Sequence, residues 1–211
     1  MSLITGLINP TDMDWTGDAN SIFKTMGASS HTNQERERND FYATAPVAID
    51  LLKKKVELPH NILEPACGSG CLSLRLEQLG HEVYSSDIID RGFGIVQDFF
   101  TMTEPPFEGD FAIVTNPPYK MATEFVLHSL AIVPDGSMVC MFLKTTFAES
   151  KGRFERIFRN YPPHRVLQCI ERVLCAKNAD FVSQQKQGSA VAYAWWIWKK
   201  GHTGPTILDW I

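Results

Sequence analysis

A chain of 211 residues, 44% of them hydrophobic, suits one α/β domain with a full core and leaves little length for a second. No apolar run is long enough to span a bilayer. Residues 1 to 11 lack both a basic start and a sustained apolar stretch, so a secretory signal is excluded and the cytoplasm is the expected compartment. The net charge of −4, from 20 basic and 24 acidic residues, lacks the broad basic footprint of many nucleic-acid-binding proteins, so any such surface has to be local. The five cysteines are odd in number and carry no Cys-x-x-Cys or His-x-x-x-His spacing. That argues for reduced thiols and against a disulfide framework; no metal site is expected.

Residues 1–40 are polar and rich in Gly, Ser, Asn, Asp and Thr, and end in the charged run 34–40. They read as an irregular, mobile arm, with one ordered domain over 41–211. Pro46 can open a helix whose apolar face carries Val47, Ile49, Leu51, Leu52 and Val56. Residues 61–64 read as a short buried strand, 71–79 as a helix ended by Gly80, and 82–86 as a strand closing at Asp87. A second buried strand covers 110–115 and runs into Asn116-Pro117-Pro118-Tyr119. Residues 123–133 read as a helix, 137–143 as an apolar strand, 151–159 as a helix, and 165–170 and 190–198 as strands. This alternation predicts a mainly parallel sheet with helices on both faces. The last two strands have no clear helix between them and are expected to form an antiparallel hairpin at one edge. The tryptophans Trp195, Trp196 and Trp198 are expected to be mostly core.

Every chemistry-bearing candidate falls at the carboxyl end of a predicted strand, where open parallel sheets bind their ligands. The loop Glu64-Pro65-Ala66-Cys67-Gly68-Ser69-Gly70 joins a strand to a helix, and its glycines permit a tight turn and close approach to a ligand. Gly-x-Gly alone is weak: position 73 is Ser73 where a dinucleotide fingerprint needs its third glycine, and no Gly-Lys-Ser/Thr is present. Asp87 can accept both hydroxyls of a ribose, or can simply cap a turn. Asp98 before Phe99 and Phe100 can read an adenine amine beside an aromatic ring, or can be a loop acid ahead of core aromatics. The tetrad Asn116-Pro117-Pro118-Tyr119 is the most specific. Two prolines after a buried strand fix the backbone and free carbonyls from the ladder. The Asn116 amide oxygen and the Pro117 carbonyl can then hold an –NH2 group by its two hydrogens. Such a nitrogen is a poor nucleophile while its lone pair is delocalised, and two acceptors favour the pyramidal form reached in transfer. Tyr119 offers a flat face for a planar substrate.

In this order, these residues resemble the class I amino-methyltransferases over roughly residues 40–200. The loop 64–70 looks like their cofactor-binding motif I, Asp87 and Asp98 match the acids of the next two motifs, and Asn116-Pro117-Pro118-Tyr119 is similar to the catalytic motif of adenine-N6 methyltransferases. Phe41-Tyr42-Ala43-Thr44-Ala45-Pro46 looks like the motif that precedes motif I and contacts the cofactor's methionine end. The resemblance is greatest to small DNA adenine methyltransferases of phage and prophage type. It implies a Rossmann-like methyltransferase fold with a mainly parallel seven-stranded sheet, and S-adenosylmethionine as cofactor, held by Phe41, Tyr42, Thr44, Glu64, Ala66, Gly68, Gly70, Asp87, Ile88, Asp98 and Phe99. Asp87 would take the ribose, Asp98 and Phe99 the adenine, and Ile88 would pack on that adenine.

The implied reaction is methyl transfer to the exocyclic amine of adenine, in DNA ahead of RNA, with the base flipped from its stack. A protein glutamine amide offers a similar planar –NH2, and an inactive methyltransferase-like binding subunit is the alternative of another class. Enzymes of this subgroup usually carry a separate target-recognition domain. This chain leaves only the loops 145–150 and 176–188 for that role, which gives room for a partner subunit or a homodimer. Lys177, Asn178, Gln184, Gln185, Lys186 and Gln187 in the second loop can track a nucleic acid, and Phe181 can stack on an extruded base. Lys151, Arg153 and Arg156, at near-helical spacing, are placed to touch phosphates or to form a solvated face.

Overall fold

The computed structural model describes residues 42–177, 181 and 191–211. The arm 1–40, Phe41 and most of the glutamine-rich loop lie outside the described residues. Lys177 is described as a strand residue only, and Phe181 is half-buried.

The chain opens with β1 (Tyr42–Thr44) and α1 (Val47–Lys53). Pro46 stands at the N-cap of α1, and Ala48, Ile49 and Leu52 turn its apolar face inward. Then follow β2 (Asn61–Glu64), α2 (Cys71–Gln78), β3 (Glu82–Asp87) and the two-residue β4 (Ile95–Val96). A 3-10 turn over Phe99–Thr101 leads to β5 (Phe111–Thr115), and a second over Tyr119–Met121 leads to α3 (Ala122–Ile132). β6 (Met138–Lys144), β7 (Arg165–Gln168), β8 (Cys175–Lys177), β9 (Tyr193–Lys199) and β10 (Ile207–Trp210) complete the strands.

The main sheet has eight strands in the order β10-β7-β9-β6-β5-β2-β3-β4. All neighbours are parallel except β9, which runs antiparallel to both β6 and β7. Alternation splits the interior into two cores. Ala112, Val114, Phe142, Trp195 and Ile197 face α1 and α2, while Phe111, Ile113, Met141, Trp196 and Trp198 face α3. Trp195, Trp196 and Trp198 are core, as expected. Two of them also satisfy their indole N–H: Trp195 donates to the Ala48 carbonyl at 2.8 Å and Trp198 to that of Tyr161 at 3.0 Å.

Three details differ from the expected sheet. The count is eight rather than seven: beyond the six strands located in the sequence, the two-residue β4 adds parallel to β3, and β10, from a stretch with weak apolar alternation, adds parallel to β7. Its Asp209 is held to Lys55 at 3.0 Å. The antiparallel pair β7 and β9 is present, but β9 inserts between β6 and β7 instead of lying at the edge. That position explains its unbroken burial from Tyr193 to Trp198. The helix expected over 151–159 is a single turn, α4 (Lys151–Arg153), continued as a π-helical turn over Phe154–Phe158.

β1 and β8 form a separate two-stranded antiparallel ribbon, with Tyr42 opposite Lys177, Ala43 opposite Ala176 and Thr44 opposite Cys175. The Ala45 N–H donates to the Leu174 carbonyl at 2.9 Å and extends the ribbon by one bond. All five cysteines are free. Among the described residues, no helix is long and apolar enough to cross a membrane.

Candidate functional site

A cleft of about 450 Å³ opens at the carboxyl ends of β2, β3 and β5, within the range of small-molecule sites. Its wall includes Tyr42, Thr44, Glu64, Ala66, Gly68, Asp87, Ile88, Asp98 and Phe99, together with Asn116, Pro117, Pro118 and Tyr119. Residues separated by up to 77 positions in sequence are thus gathered around one space.

The floor is built from the loop after β2. The Cys67 N–H donates to the Ser86 carbonyl at 2.9 Å, which ties the loop to β3, and the Gly70 N–H closes a turn onto the Cys67 carbonyl at 2.8 Å. Gly68 has φ 56° and Gly70 φ 84°, the left-handed region that glycine enters without steric cost. Asp87 holds this loop from the side: its Oδ2 accepts from the Gly68 N–H at 2.9 Å and its Oδ1 from the Ile89 N–H at 3.0 Å. Each oxygen keeps a second lone pair for a ligand.

Gly70 is placed differently from the other motif residues and does not line the cleft. A Cβ at this position would sit 2.6 Å from the Phe93 ring, so the glycine makes room for Phe93.

Glu64 is 2% exposed, and its Oε2 accepts a short hydrogen bond from Ser73, whose hydroxyl in turn accepts from Ser85 at 2.7 Å. Burial pushes its carboxyl up to about 8, only partly opposed by the Ser73 hydrogen bonds. At the far end Asp98 caps the following turn, its Oδ1 accepting from the Phe100 N–H at 2.9 Å. Phe99 turns into the core against Phe125 and His128. Phe100, 37% exposed, and Ile88, 62% exposed, are the more open apolar surfaces there. Phe99, which the resemblance assigns to the cofactor's adenine, lines the cleft, and Phe100 offers a second, more open ring beside it.

The β5 end carries the tetrad. Asn116 donates from Nδ2 to Thr44 Oγ1 at 2.7 Å and, more weakly, to the Tyr42 carbonyl at 3.4 Å. Its Oδ1 is buried without a hydrogen-bond partner. The Tyr119 ring packs near-parallel to Tyr42 at 6.3 Å, lies 6.0 Å from Tyr193, and has Lys144 Nζ 4.8 Å from its centroid. Lys144, Cys175 and Tyr193 were not singled out in sequence, because they join this end only through the sheet register and the β1–β8 ribbon.

The chemistry of the wall is restrictive. Burial raises the Cys67 thiol to about 12 and the Tyr119 phenol well above its ordinary range, so neither supplies an anion near neutral pH. No histidine is among the described residues lining the cleft. The basic residues expected near phosphates are mostly engaged within the fold. Arg153 donates to the carbonyls of Phe147 at 2.8 Å, Thr146 at 3.2 Å and Glu149, Arg156 pairs with Glu124 at 2.9 Å, and Arg159 with Glu155 at 2.7 Å.

No protein-family profile matches the chain, and no curated protein does. Solved structures do match. The fold is similar to a structure described as a class I S-adenosylmethionine-dependent methyltransferase from Listeria monocytogenes, with TM-score 0.50 and 15% identity over 91% of this chain and 70% of that one. It is also similar to the methyltransferase subunit of a type I restriction-modification system from Streptococcus thermophilus, at TM-score 0.57 and 14% identity, covering 81% of this chain and 47% of that one. A modification subunit described as part of a type I restriction enzyme from Vibrio vulnificus gives TM-score 0.53 and 14% identity, covering 89% and 48%. The chain thus spans about half the length of these two subunits. At such identities the likeness establishes the fold, a Rossmann-like methyltransferase fold, and no more.

Proposed function

We propose that this protein transfers a methyl group from S-adenosylmethionine to the exocyclic amine of adenine in DNA. The observation that carries this reading is Asn116 Oδ1: a buried acceptor without a partner, at the end of β5, in the same cleft as Asp87 and Asp98. A buried acceptor left unpaired costs about 1–3 kcal/mol, so a donor is expected to meet it in the working complex.

The residues suit the cofactor. Asp87 retains acceptor capacity at the end of β3 and is assigned the ribose hydroxyls, Asp98 with Phe99 is assigned the adenine, and Ile88 and Phe100 offer further apolar surface. Phe41, outside the described residues, and Tyr42, Thr44, Glu64, Ala66, Gly68 and Gly70 complete the assignment that the resemblance implies. The bound cofactor supplies an electrophilic methyl group on a sulfonium.

Asn116 Oδ1 then accepts one hydrogen of the substrate –NH2, and the Pro117 carbonyl is assigned the other. As the nitrogen would gain the methyl carbon while the C–S electron pair returned to sulfur, positive charge would develop on the nitrogen and strengthen both hydrogen bonds, which favours the transition state over the ground state, and the methylated nitrogen would then release one proton to solvent. Tyr119, already paired with Tyr42, extends an aromatic surface on which a flipped base can stack. Adenine in DNA is favoured by the tetrad, and the fold shared with restriction-modification subunits supports it. Recognition of a target sequence then falls to loops, a partner subunit or a second copy.

The test uses purified protein, methyl-labelled cofactor, and DNA and RNA strands of the same adenine-containing sequences, followed by nucleoside mass spectrometry. Label on the N6 of deoxyadenosine is the expected result. Label in RNA alone, or in a protein glutamine alone, would move the substrate. Cofactor binding by calorimetry with no transfer to any of these would point to a binding subunit.

A further inference from the structure

We propose that Thr44 is a positioning residue: its hydroxyl holds the Asn116 Nδ2, so that Oδ1, and not the NH2 group, is left to accept from a donor. This rests on the methyl-transfer reading only for its catalytic consequence.

An asparagine amide has two orientations related by a half-turn, and one of them is useless for holding a donor. In the orientation found, Nδ2 meets two acceptors on β1, Thr44 Oγ1 at 2.7 Å and the Tyr42 carbonyl at 3.4 Å. The half-turn would set Oδ1 against the Tyr42 carbonyl, acceptor facing acceptor, and would turn two donors toward the substrate amine. A hydroxyl by itself does not discriminate, since it can donate as well as accept. The Tyr42 carbonyl, which can only accept, sets the amide's direction, and a neighbouring sulfur is able to take the hydroxyl proton. Thr44 Oγ1 lies 4.0 Å from Cys175 Sγ, the residue directly opposite it in the β1–β8 ribbon. With the hydroxyl proton turned to that sulfur, the lone pairs of Oγ1 face Asn116. Thr44 is 3% exposed, so water does not readily replace it.

The ribbon therefore has a purpose that its small size conceals. It carries the second half of the catalytic asparagine's hydrogen-bond set, 72 residues away in sequence. The sequence pattern gave Thr44 to the cofactor's methionine end, and the two roles predict different kinetics.

The experiment compares Thr44→Val and Thr44→Ser with the wild type by three measurements: kcat at saturating cofactor, cofactor affinity by calorimetry, and hydrogen exchange of the Asn116 side-chain amide by NMR, assigned with Asn116→Asp. Thr44→Val is expected to lower kcat by about 100-fold, the scale on which misplacement of a reacting group acts. Cofactor affinity should change less than about twofold, well below the tenfold that 1.4 kcal/mol represents. Protection of the Asn116 amide should be lost in Thr44→Val and restored, with most of kcat, in Thr44→Ser. An unchanged Asn116 amide signal in Thr44→Val would overturn the proposal. So would a weakened cofactor affinity with kcat preserved, which would make Thr44 a cofactor ligand. Should Thr44→Val fail to fold, Thr44→Ala carries the same three comparisons. The amide measurement needs no substrate: a wild type that transfers no methyl group but shows the Thr44-dependent protection would refute the methyl-transfer reading and leave the positioning intact.

Discussion

The half of the cleft built on Glu64 to Phe100 and the half built on Asn116 to Tyr119 engage their carboxylate and amide oxygens in opposite ways. In the first, the acids bind their own chain: Asp87 holds Gly68 and Ile89, Asp98 holds Phe100, and Glu64 is closed by Ser73. In the second, Asn116 Oδ1 and the Tyr119 hydroxyl are buried without hydrogen-bond partners of good geometry. The first half is shaped before any ligand arrives, so a ligand adds to contacts already made. The second half holds acceptor capacity in reserve at a desolvated position, where a hydrogen bond to a developing charge is strongest. A pre-shaped half suits a constant cofactor, and an unsatisfied half suits a substrate that has to be distorted.

The sharpest way to break this contrast is a pair of substitutions. Asn116→Ala should lower turnover by about 10²–10³-fold, the loss typical of removing one such acceptor or donor, with cofactor affinity nearly unchanged. Asp87→Ala should weaken cofactor affinity by about tenfold, because it removes an acceptor and also releases the Gly68 and Ile89 N–H groups that the carboxylate now holds. Labelled-methyl transfer and calorimetry read the two effects separately. If both variants changed only the unfolding midpoint, the division of labour would be wrong.

Glu64 gives the next largest effect, through pH. Its carboxyl moves from an ordinary 4.5 to about 8 in the folded protein, chiefly through burial. A raised pKa means that the folded chain binds the proton more tightly than the unfolded chain. Stability is therefore full below about pH 4.5, declines as pH rises, and has lost this contribution above about pH 8, by a few kcal/mol on the scale of 1.36 kcal/mol per pKa unit. Glu64→Gln should remove that part of the slope, so denaturant titrations of the two proteins should diverge between pH 5 and pH 8. Parallel curves would show that Glu64 is ionised in the folded protein, and the pre-shaped half would then contain a buried charge.

Gly70→Ala should act on stability more than on binding. The new methyl meets the Phe93 ring at 2.6 Å and the backbone is at φ 84°, so a cost of about 2 kcal/mol is expected from strain and displaced packing. Thermal unfolding measures it. A loss of cofactor affinity without destabilisation would return Gly70 to the ligand surface that its motif suggests.

The same contrast explains what could be read in the sequence. The pre-shaped half is nearly contiguous: one strand, one glycine loop, one helix and the next strand carry it, and each has a local signature in periodicity, glycine spacing or a strand-ending acid. The Asn-Pro-Pro-Tyr tetrad is equally local. What surrounds the tetrad is not. Thr44, Cys175, Tyr193 and Lys144 reach it through the register of β1 with β8 and of β6 with β9, and register leaves no trace in a single stretch of chain. Which of Phe99 and Phe100 is the more open is hidden for a related reason. A pair of adjacent aromatics shows that one is core and one is open, but the 3-10 turn capped by Asp98 decides which. β10 escaped notice because its side chains are mostly exposed, so the apolar alternation that marks a half-buried strand is weak.

The smallest expected effect concerns the basic residues 153–159, which belong to neither half. Arg156 is 52% exposed and its guanidinium already meets Glu124 at 2.9 Å. An exposed pair of this kind contributes about 0–1 kcal/mol, so Arg156→Ala should shift stability by no more than that. The more useful measurement is nucleic-acid affinity against salt concentration. Each phosphate neutralised by an arginine releases close to one counterion, so loss of a contacting arginine flattens the plot of log affinity against log salt by about 0.9. Arg156 is engaged with a carboxylate on α3, and Arg153 is bound to three carbonyls of the turn after β6. An unchanged slope is therefore expected for Arg156→Ala. A slope lower by about one would mean that Glu124 releases Arg156 on binding. The substrate surface would then extend along α3, beyond the rim that Tyr42 and Tyr119 now define.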